Sequence, residues 1–364
     1  MTEVAKARCV VVGGGLIGML TARELRAAGV DVRIMDRQAA GQEASWAGGG
    51  ILSPLYPWRF PDPVTDLASW GQEYYPTLSD ELAAETGIDP EWTQSGLLIL
   101  DAEERDSARA WAQRHGLRLE LLDRAEIRRC ESAVMDPEGA AIWLPDVAQI
   151  RNPRFLKCLR RSLELRGVPV EEHAEVRAVA VEHGRVVGVD TREGRVPADR
   201  VVVAGGAWTG QLLASMGLEL PVHPVRGQMI LFHTRPGLLH RIVLYQDHYL
   251  IPRRDGRILA GSTLEHTGYD KSTTEGARKL LYTRAVQLLP DLADYGVERH
   301  WAGLRPGSPT GVPFIGEHPT IQGLFVNAGH FRNGVVLGPA SARLLRDLFI
   351  GHTPIIDATA YSLS

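Results

Sequence analysis

Apolar and polar positions alternate along this chain in two different rhythms. The run "CVVV" from Cys9 breaks at three glycines, resumes as an amphipathic pattern over "LIGMLTARELRAAG", and becomes apolar again in "VDVRIMDR". That order predicts strand, glycine turn, helix, strand. Between 174 and 206 the segments alternate with period two, and "EHGR" and "REGR" interrupt them, so short strands joined by tight turns are expected. "GQMILFHTR" and "YLIPRRDGRILAGST" read as later strands with a hairpin at 254–256. Helices are predicted over 103–115 and 274–289, between the strand sets. The uncharged run 201–218 contains Gly205, Gly206, Thr209, Gln211 and Ser215, and reads as strand, turn and helix rather than a membrane span.

Composition narrows the class. A chain of 364 residues exceeds what one core usually organises, so two domains are expected. Hydrophobic content of 44% with 23% charged residues is that of a soluble globular protein. The net charge of −4 offers no general field for nucleic acid, and the arginine-rich stretches 124–130 and 159–167 lack interleaved aromatics, so they read as solvated helix faces. Cys9, Cys130 and Cys158 have neither CxxC spacing nor a histidine cluster nearby, which argues against a disulfide framework or a metal site and fits a cytoplasmic setting. The polar start, with Lys6, enters the first strand without the apolar core of a signal peptide.

Candidate chemistry begins at the first turn. Gly13, Gly15 and Gly18 stand in GxGxxG register after a strand and at the head of a helix, which makes a dinucleotide site the expectation. Gly13 allows the turn, Gly15 lets backbone approach a pyrophosphate, and Gly18 lets the helix pack on the strand. The helix N-terminus supplies free N–H groups and positive dipole. Asp36, at the end of the second strand, can accept from ribose hydroxyls and would repel a 2′-phosphate. The loop that follows, "RQAAGQEASWAGGGILSP", suits a flat ring pressed against backbone, which points to a flavin. No second GxGxxG follows, so the substrate itself is expected to reduce that flavin.

GxGxxG at 13–18, "ASWAGGGILSP", "VVVAGGAWTG" at 201–210, "WAGLRPGSPTGVPFIG" at 301–316 and "GHFRNGVVLGPA" at 329–340 together resemble the D-amino-acid oxidase superfamily of FAD enzymes. Within it the likeness is nearest to the family of glycine oxidases of bacterial thiamine biosynthesis. The resemblance spans nearly the whole chain, and its last two motifs are the more specific. It implies an α/β fold: a Rossmann-type FAD-binding domain assembled from 1–90, 145–220 and 305–364, and an inserted α+β substrate domain on an antiparallel sheet from 91–144 and 221–304.

The same resemblance implies the cofactor-binding positions. These are Gly13, Gly15, Leu16, Ile17 and Gly18 in the first turn, Asp36 and Arg37 after the second strand, and Ala44, Ser45, Trp46, Gly49, Gly50, Ile51 and Leu52 in the small-residue loop. Val176 would meet the adenine through its backbone, and Gly205, Gly206 and Trp208 would line the flavin side. Arg332 and Val336 complete the set with Asn333, Gly334 and Val335, whose N–H groups would face the flavin edge that gains negative charge on reduction.

Arg305 is the one charged side chain in "WAGLRPGSPTGVPFIG". A desolvated guanidinium needs an anion, and the residues alone admit either a ligand or an internal carboxylate such as Glu265 or Asp247. The resemblance implies the α-carboxylate of an amino acid, with Tyr249 bonding the same group and Arg332 as a second arginine at the pocket mouth. A guanidinium fork fixes a carboxylate's orientation as well as its charge.

The implied activity is oxidation of glycine, with sarcosine and small D-amino acids as secondary substrates, by hydride transfer to flavin. The products would be an imine or glyoxylate, ammonia and, from O2, hydrogen peroxide. His248 and His330 read as packing or hydrogen-bonding residues, so no general base is assigned. FAD is expected to be noncovalent, since no cysteine follows Cys158 and the first histidine is His115. No lysine lies in a motif, and Lys271 in "GYDKSTTEG" is expected to be exposed. A dehydrogenase passing electrons to a quinone or carrier, a tRNA-modifying flavoenzyme and a flavin binder without chemistry stay open as alternatives, and homo-oligomerisation is left undetermined.

Overall fold

The computed structural model describes residues 7–135 and 138–363. Lys6 and the outermost ends of the expected domain ranges, 1–6 and 364, lie outside the described residues, as do 136–137.

A six-stranded sheet carries the first turn. Its order is Phe314–Glu317, Leu324–Ala328, Arg200–Val203, Arg8–Val12, Asp31–Met35, Val170–Glu171, parallel throughout except for the antiparallel pair at the Phe314 edge. The central strands are valine runs buried on both faces, as a parallel sheet covered by helices requires. The helices Leu16–Ala27, Asp62–Thr86, Asn152–Leu165 and Gly334–Ile350 pack one face into a core that includes Leu25, Leu67, Leu159 and Leu345. Val176–Glu182, Arg185–Thr191 and Gly194–Pro197 form a separate three-stranded antiparallel sheet, with turns where "EHGR" and "REGR" place them.

An eight-stranded sheet runs Val297–Gly307, His223–His233, Arg257–Gly261, His248–Pro252, Ile242–Tyr245, Leu97–Ile99, Ala140–Leu144, Glu120–Asp123. All its pairs are antiparallel but one: Ile242–Tyr245 and Leu97–Ile99 run parallel, which the long intervening chain permits where a hairpin could not. The expected boundary at 305 falls inside the strand Val297–Gly307. The helix Glu275–Leu288 covers one face, capped by Thr274, whose hydroxyl oxygen accepts from the Ala277 N–H. Helix Arg105–His115 starts two residues later than the periodicity suggests.

Among the elements with no counterpart in the sequence pattern, such as the strands Leu97–Ile99, Ala140–Leu144 and Leu324–Ala328, one helix bears on the site. Asp62–Thr86 is a helix of 25 residues with Pro76 inside it. It lies against the start of Gly334–Ile350: the Tyr75 hydroxyl donates to Val335 O at 2.6 Å, and a Cβ on Gly71 would stand 2.1 Å from Val336 O. Among the described residues no helix is long and apolar enough to cross a membrane.

Candidate functional site

A cavity of about 510 Å3 lies where the ends of the six-stranded sheet meet the eight-stranded sheet. Its floor at one end is the first turn. Gly13 has φ +110°, and a Cβ there would come within 2.4 Å of Ala204 O, so only glycine closes this turn against the neighbouring strand. Gly15 precedes the helix Leu16–Ala27, whose first N–H, from Leu16, donates to Ser45 Oγ at 2.8 Å. The Asp36 carboxylate accepts from Gly14 N at 2.6 Å and Gln38 N at 2.8 Å, so it braces the turn while also lining the cavity. Each oxygen keeps acceptor capacity for a ribose hydroxyl. The Arg37 guanidinium lies 3.7 Å over the Trp208 ring, and Trp208 stacks on Tyr269. Lys271, which is half-exposed, pairs with Glu43 at 2.9 Å and ties the 262–274 loop to this end.

Arg305 stands at the other end. Its guanidinium donates to Thr263 O at 3.1 Å, Arg226 O at 3.3 Å and Ser262 Oγ at 2.8 Å, all neutral oxygens. It lies flat on the facing strand, where a Cβ on Gly227 would meet it at 2.1 Å. The two internal carboxylates open to it by sequence are engaged elsewhere. Glu265 pairs with the buried Arg226 at 2.6 Å, and Asp247 stands 3.8 Å from Arg332 and 4.0 Å from Arg59. Burial lowers the Arg305 pKa, the nearby Tyr249 hydroxyl opposes that, and Arg332 reinforces it. Glu265, itself paired with Arg226, also raises that pKa through space, but no carboxylate comes within ion-pair distance of this cation at the cavity edge among the described residues. Tyr249 is buried beside it, packed between Gly261 and Gly49.

Between the two ends the helix Gly334–Ile350 points its N-terminus into the cavity, and Arg332, Asn333, Gly334 and Val335 line it. The turn before it is held by the Phe331 N–H donating to Pro306 O at 2.8 Å, with Phe331 at φ +48°. Asn333 Nδ2 is buried and finds no acceptor among the described residues. A buried amide donor left unpaired beside free helix N–H groups fits a cofactor that brings acceptors. With the glycine turn and Asp36, this set suits a flavin dinucleotide.

His330 also touches the cavity, but burial pushes its imidazole down to about 3, and its ring Nε2 meets Ser341 Oγ at 3.0 Å. It is neutral and structural. A histidine whose folded pKa lies below the unfolded value of about 6.5 contributes stability that is full above about pH 6.5 and lost as pH falls toward about 3. His330→Gln should therefore flatten the fall in Tm between about pH 7 and about pH 4.5; an unchanged slope would remove His330 from the acid response. His248 bonds Gln246 O at 2.9 Å through Nδ1 and lies off the cavity.

Most implied site residues converge here: Gly13, Gly15, Leu16, Ile17, Asp36, Arg37, Ala44, Ser45, Gly49, Gly50, Ile51, Val176, Gly205, Gly206 and Trp208, together with Tyr249, Arg305 and 332–335. Gly18, Trp46, Leu52 and Val336 do not line the cavity. Gly18 faces Gly13 O, Trp46 packs edge-on against Trp301, and Leu52 and Val336 are in the core. Sequence reasoning passed over Gly227, Ser262, Arg226 and Arg253. For Gly227 a signal existed, since glycine inside an apolar strand marks a close approach.

The family model described as FAD dependent oxidoreductase (DAO) matches residues 8–348. The chain is 49% identical to the glycine oxidase of Pseudomonas aeruginosa across 98% of both chains. It is 33% identical to the bifunctional protein ThiO/ThiG of Synechocystis over 96% of this chain and 52% of that protein. Among solved structures, the glycine oxidase of Geobacillus kaustophilus superposes with a TM-score of 0.93 at 30% identity, covering 99% of each chain.

Proposed function

Because this chain belongs to the FAD dependent oxidoreductase family, we propose that it oxidises glycine, and more slowly sarcosine and small D-amino acids, to the imine, which water converts to glyoxylate and ammonia. The observation that carries the substrate is Arg305, a cation with three neutral partners and no carboxylate, facing a cavity beside Tyr249. In this reading Arg305 takes the substrate carboxylate through two parallel N–H···O bonds, and the Tyr249 hydroxyl donates to the same group. Arg332, held near Asp247, adds positive charge at the mouth.

Gly13, Gly15, Asp36 and the 333–335 turn would hold FAD noncovalently, and the bound flavin would supply a two-electron acceptor that O2 can reoxidise with release of peroxide. The chain's own work is orientation. A carboxylate clamped by Arg305 fixes where Cα stands in the cavity, so that a Cα–H can be turned toward the flavin, and orientation is worth ~7–11 kcal/mol in well-aligned systems. The proton inventory is short: His330 is neutral and structural and His248 lies away, so the amine loses its proton before binding.

The division into an FAD-binding domain (1–90, 145–220 and 305–364) and a substrate domain (91–144 and 221–304) is part of this reading, as is a cytoplasmic location. The match to part of a protein named ThiO/ThiG supports a role in supplying the imine for thiamine thiazole formation.

The test is anaerobic mixing. Glycine should bleach the yellow protein, faster as pH rises, and air should restore the colour with one equivalent of peroxide. Acid precipitation should release all the flavin as FAD. Bleaching that air does not reverse would assign the electrons to a quinone or carrier, and colour left in the acid pellet would overturn noncovalent binding.

A further inference from the structure

Arg253 follows the strand His248–Pro252, which also carries Tyr249. Its guanidinium donates to Gly49 O at 2.6 Å, Gln149 Oε1 at 2.7 Å and Ile150 O at 3.2 Å. No carboxylate comes within ion-pair distance of it among the described residues, because Arg151 takes both nearby acids, Glu91 at 3.2 Å and Asp255 at 2.9 Å. Burial and the like charge of Arg151 push its pKa down to about 10, so it is still a cation near neutrality.

The target of that cation is a peptide at the cavity wall. Gly49 and Gly50 both line the cavity, and Gly49 sits against Tyr249 at the end where Arg305 lies. Whatever ring accepts electrons from a substrate clamped at Arg305 must border this wall, rather than the Asp36 end. In a trans peptide the N–H points opposite the C=O. With Gly49 O drawn toward Arg253, the Gly50 N–H is turned to the cavity side, and no acceptor takes it among the described residues. Only glycine fits at 50, since its φ is +76° and a Cβ there would stand 2.0 Å from Ile150 O and 2.5 Å from Asn152 Oδ1, and its own carbonyl is tied by the Ile150 N–H at 2.8 Å.

We infer that Arg253 is a positioning residue for the redox ring: from behind the cavity wall it fixes and polarises the Gly49–Gly50 peptide, so that the Gly50 N–H donates to the flavin and stabilises the negative charge of its reduced form. Preorganised donors aimed at developing charge gain strength when a fixed cation polarises them from behind. The inference rests on the FAD oxidase reading above and adds a cause for the ease with which the bound flavin takes electrons.

The experiment measures the two-electron potential of bound FAD by reductive titration against a reference dye, which needs no amino-acid substrate. Arg253→Met and Arg253→Gln should each lower the equilibrium constant for reduction about tenfold, or ~30 mV for a two-electron couple. Arg253→Lys, which keeps the charge, should stay near the parent value. Should Arg253→Met fail to hold FAD, the Gln and Lys variants decide alone. Equal potentials in all variants, with only Tm or FAD affinity reduced, would make Arg253 a structural tie and overturn the inference. A Lys variant as low as Gln would overturn it too. If glycine failed to bleach the parent protein while the potentials still separated, the substrate assignment would fall and the role of Arg253 would stand.

Discussion

Arg305→Ala is expected to lower kcat/KM for glycine by roughly 10²- to 10³-fold while folding and FAD binding persist. The side chain is lodged against Gly227 and bonded to Arg226 O, Thr263 O and Ser262 Oγ, so its geometry is set before any substrate arrives. Glycine has no other large group by which to be held, and losing one partner of a desolvated bidentate pair typically costs ~3–5 kcal/mol. Folding should tolerate the change because no carboxylate is left behind: Glu265 and Asp270 stay paired with Arg226. Arg305→Lys should recover little, because an ammonium cannot reproduce the fork. The deciding comparison is an amine of similar size without a carboxylate, whose slow oxidation should barely respond to either substitution. Equal losses for both amines would show that Arg305 serves the fold.

Gly18→Ala should abolish FAD binding at micromolar concentrations, although Gly18 does not line the cavity. A Cβ there would lie 1.9 Å from Gly13 O and 3.4 Å from Val11 Cγ1, and the nearer contact is backbone that cannot rotate away. The helix Leu16–Ala27 would have to lift from the strand Arg8–Val12, carrying its free N–H groups and Gly15 away from the pyrophosphate position. Overpacking of this kind costs about 1–3 kcal/mol in stability, and the displaced turn adds its loss to binding. The control is Gly29→Ala at the far end of the same helix, with φ +86° and nothing within 4 Å. It should cost about 1 kcal/mol of backbone strain and leave FAD affinity alone. Equal FAD affinity in Gly18→Ala and the parent would remove the turn from the cofactor site.

Local physics made much of the fold readable. The strand and glycine turn at 9–18, the strands bracketed by "EHGR" and "REGR", and the 254–256 hairpin all depend on backbone conformations that a few neighbouring residues impose. The helix Asp62–Thr86 escaped because Pro76 and a broken apolar stripe hide its period, while its stability comes from packing on the final helix.

From the sequence alone it followed that a lone arginine at 305 required an anion, that glycines 13, 15 and 18 could admit a dinucleotide, and that no obvious base stood by. Tertiary structure alone decided that neither internal carboxylate pairs with Arg305. Glu265 and Asp247 were both open by sequence, and only the folding of the 262–274 loop onto Arg226 and of the 246–247 turn toward Arg332 removes them from Arg305. Charge pairing across more than 30 residues depends on where strands finally cross, and no local pattern encodes that. Arg253 is the same case in reverse: an ordinary hairpin arginine in sequence, it meets Gly49 only because His248–Pro252 lies in a sheet that closes over the glycine loop.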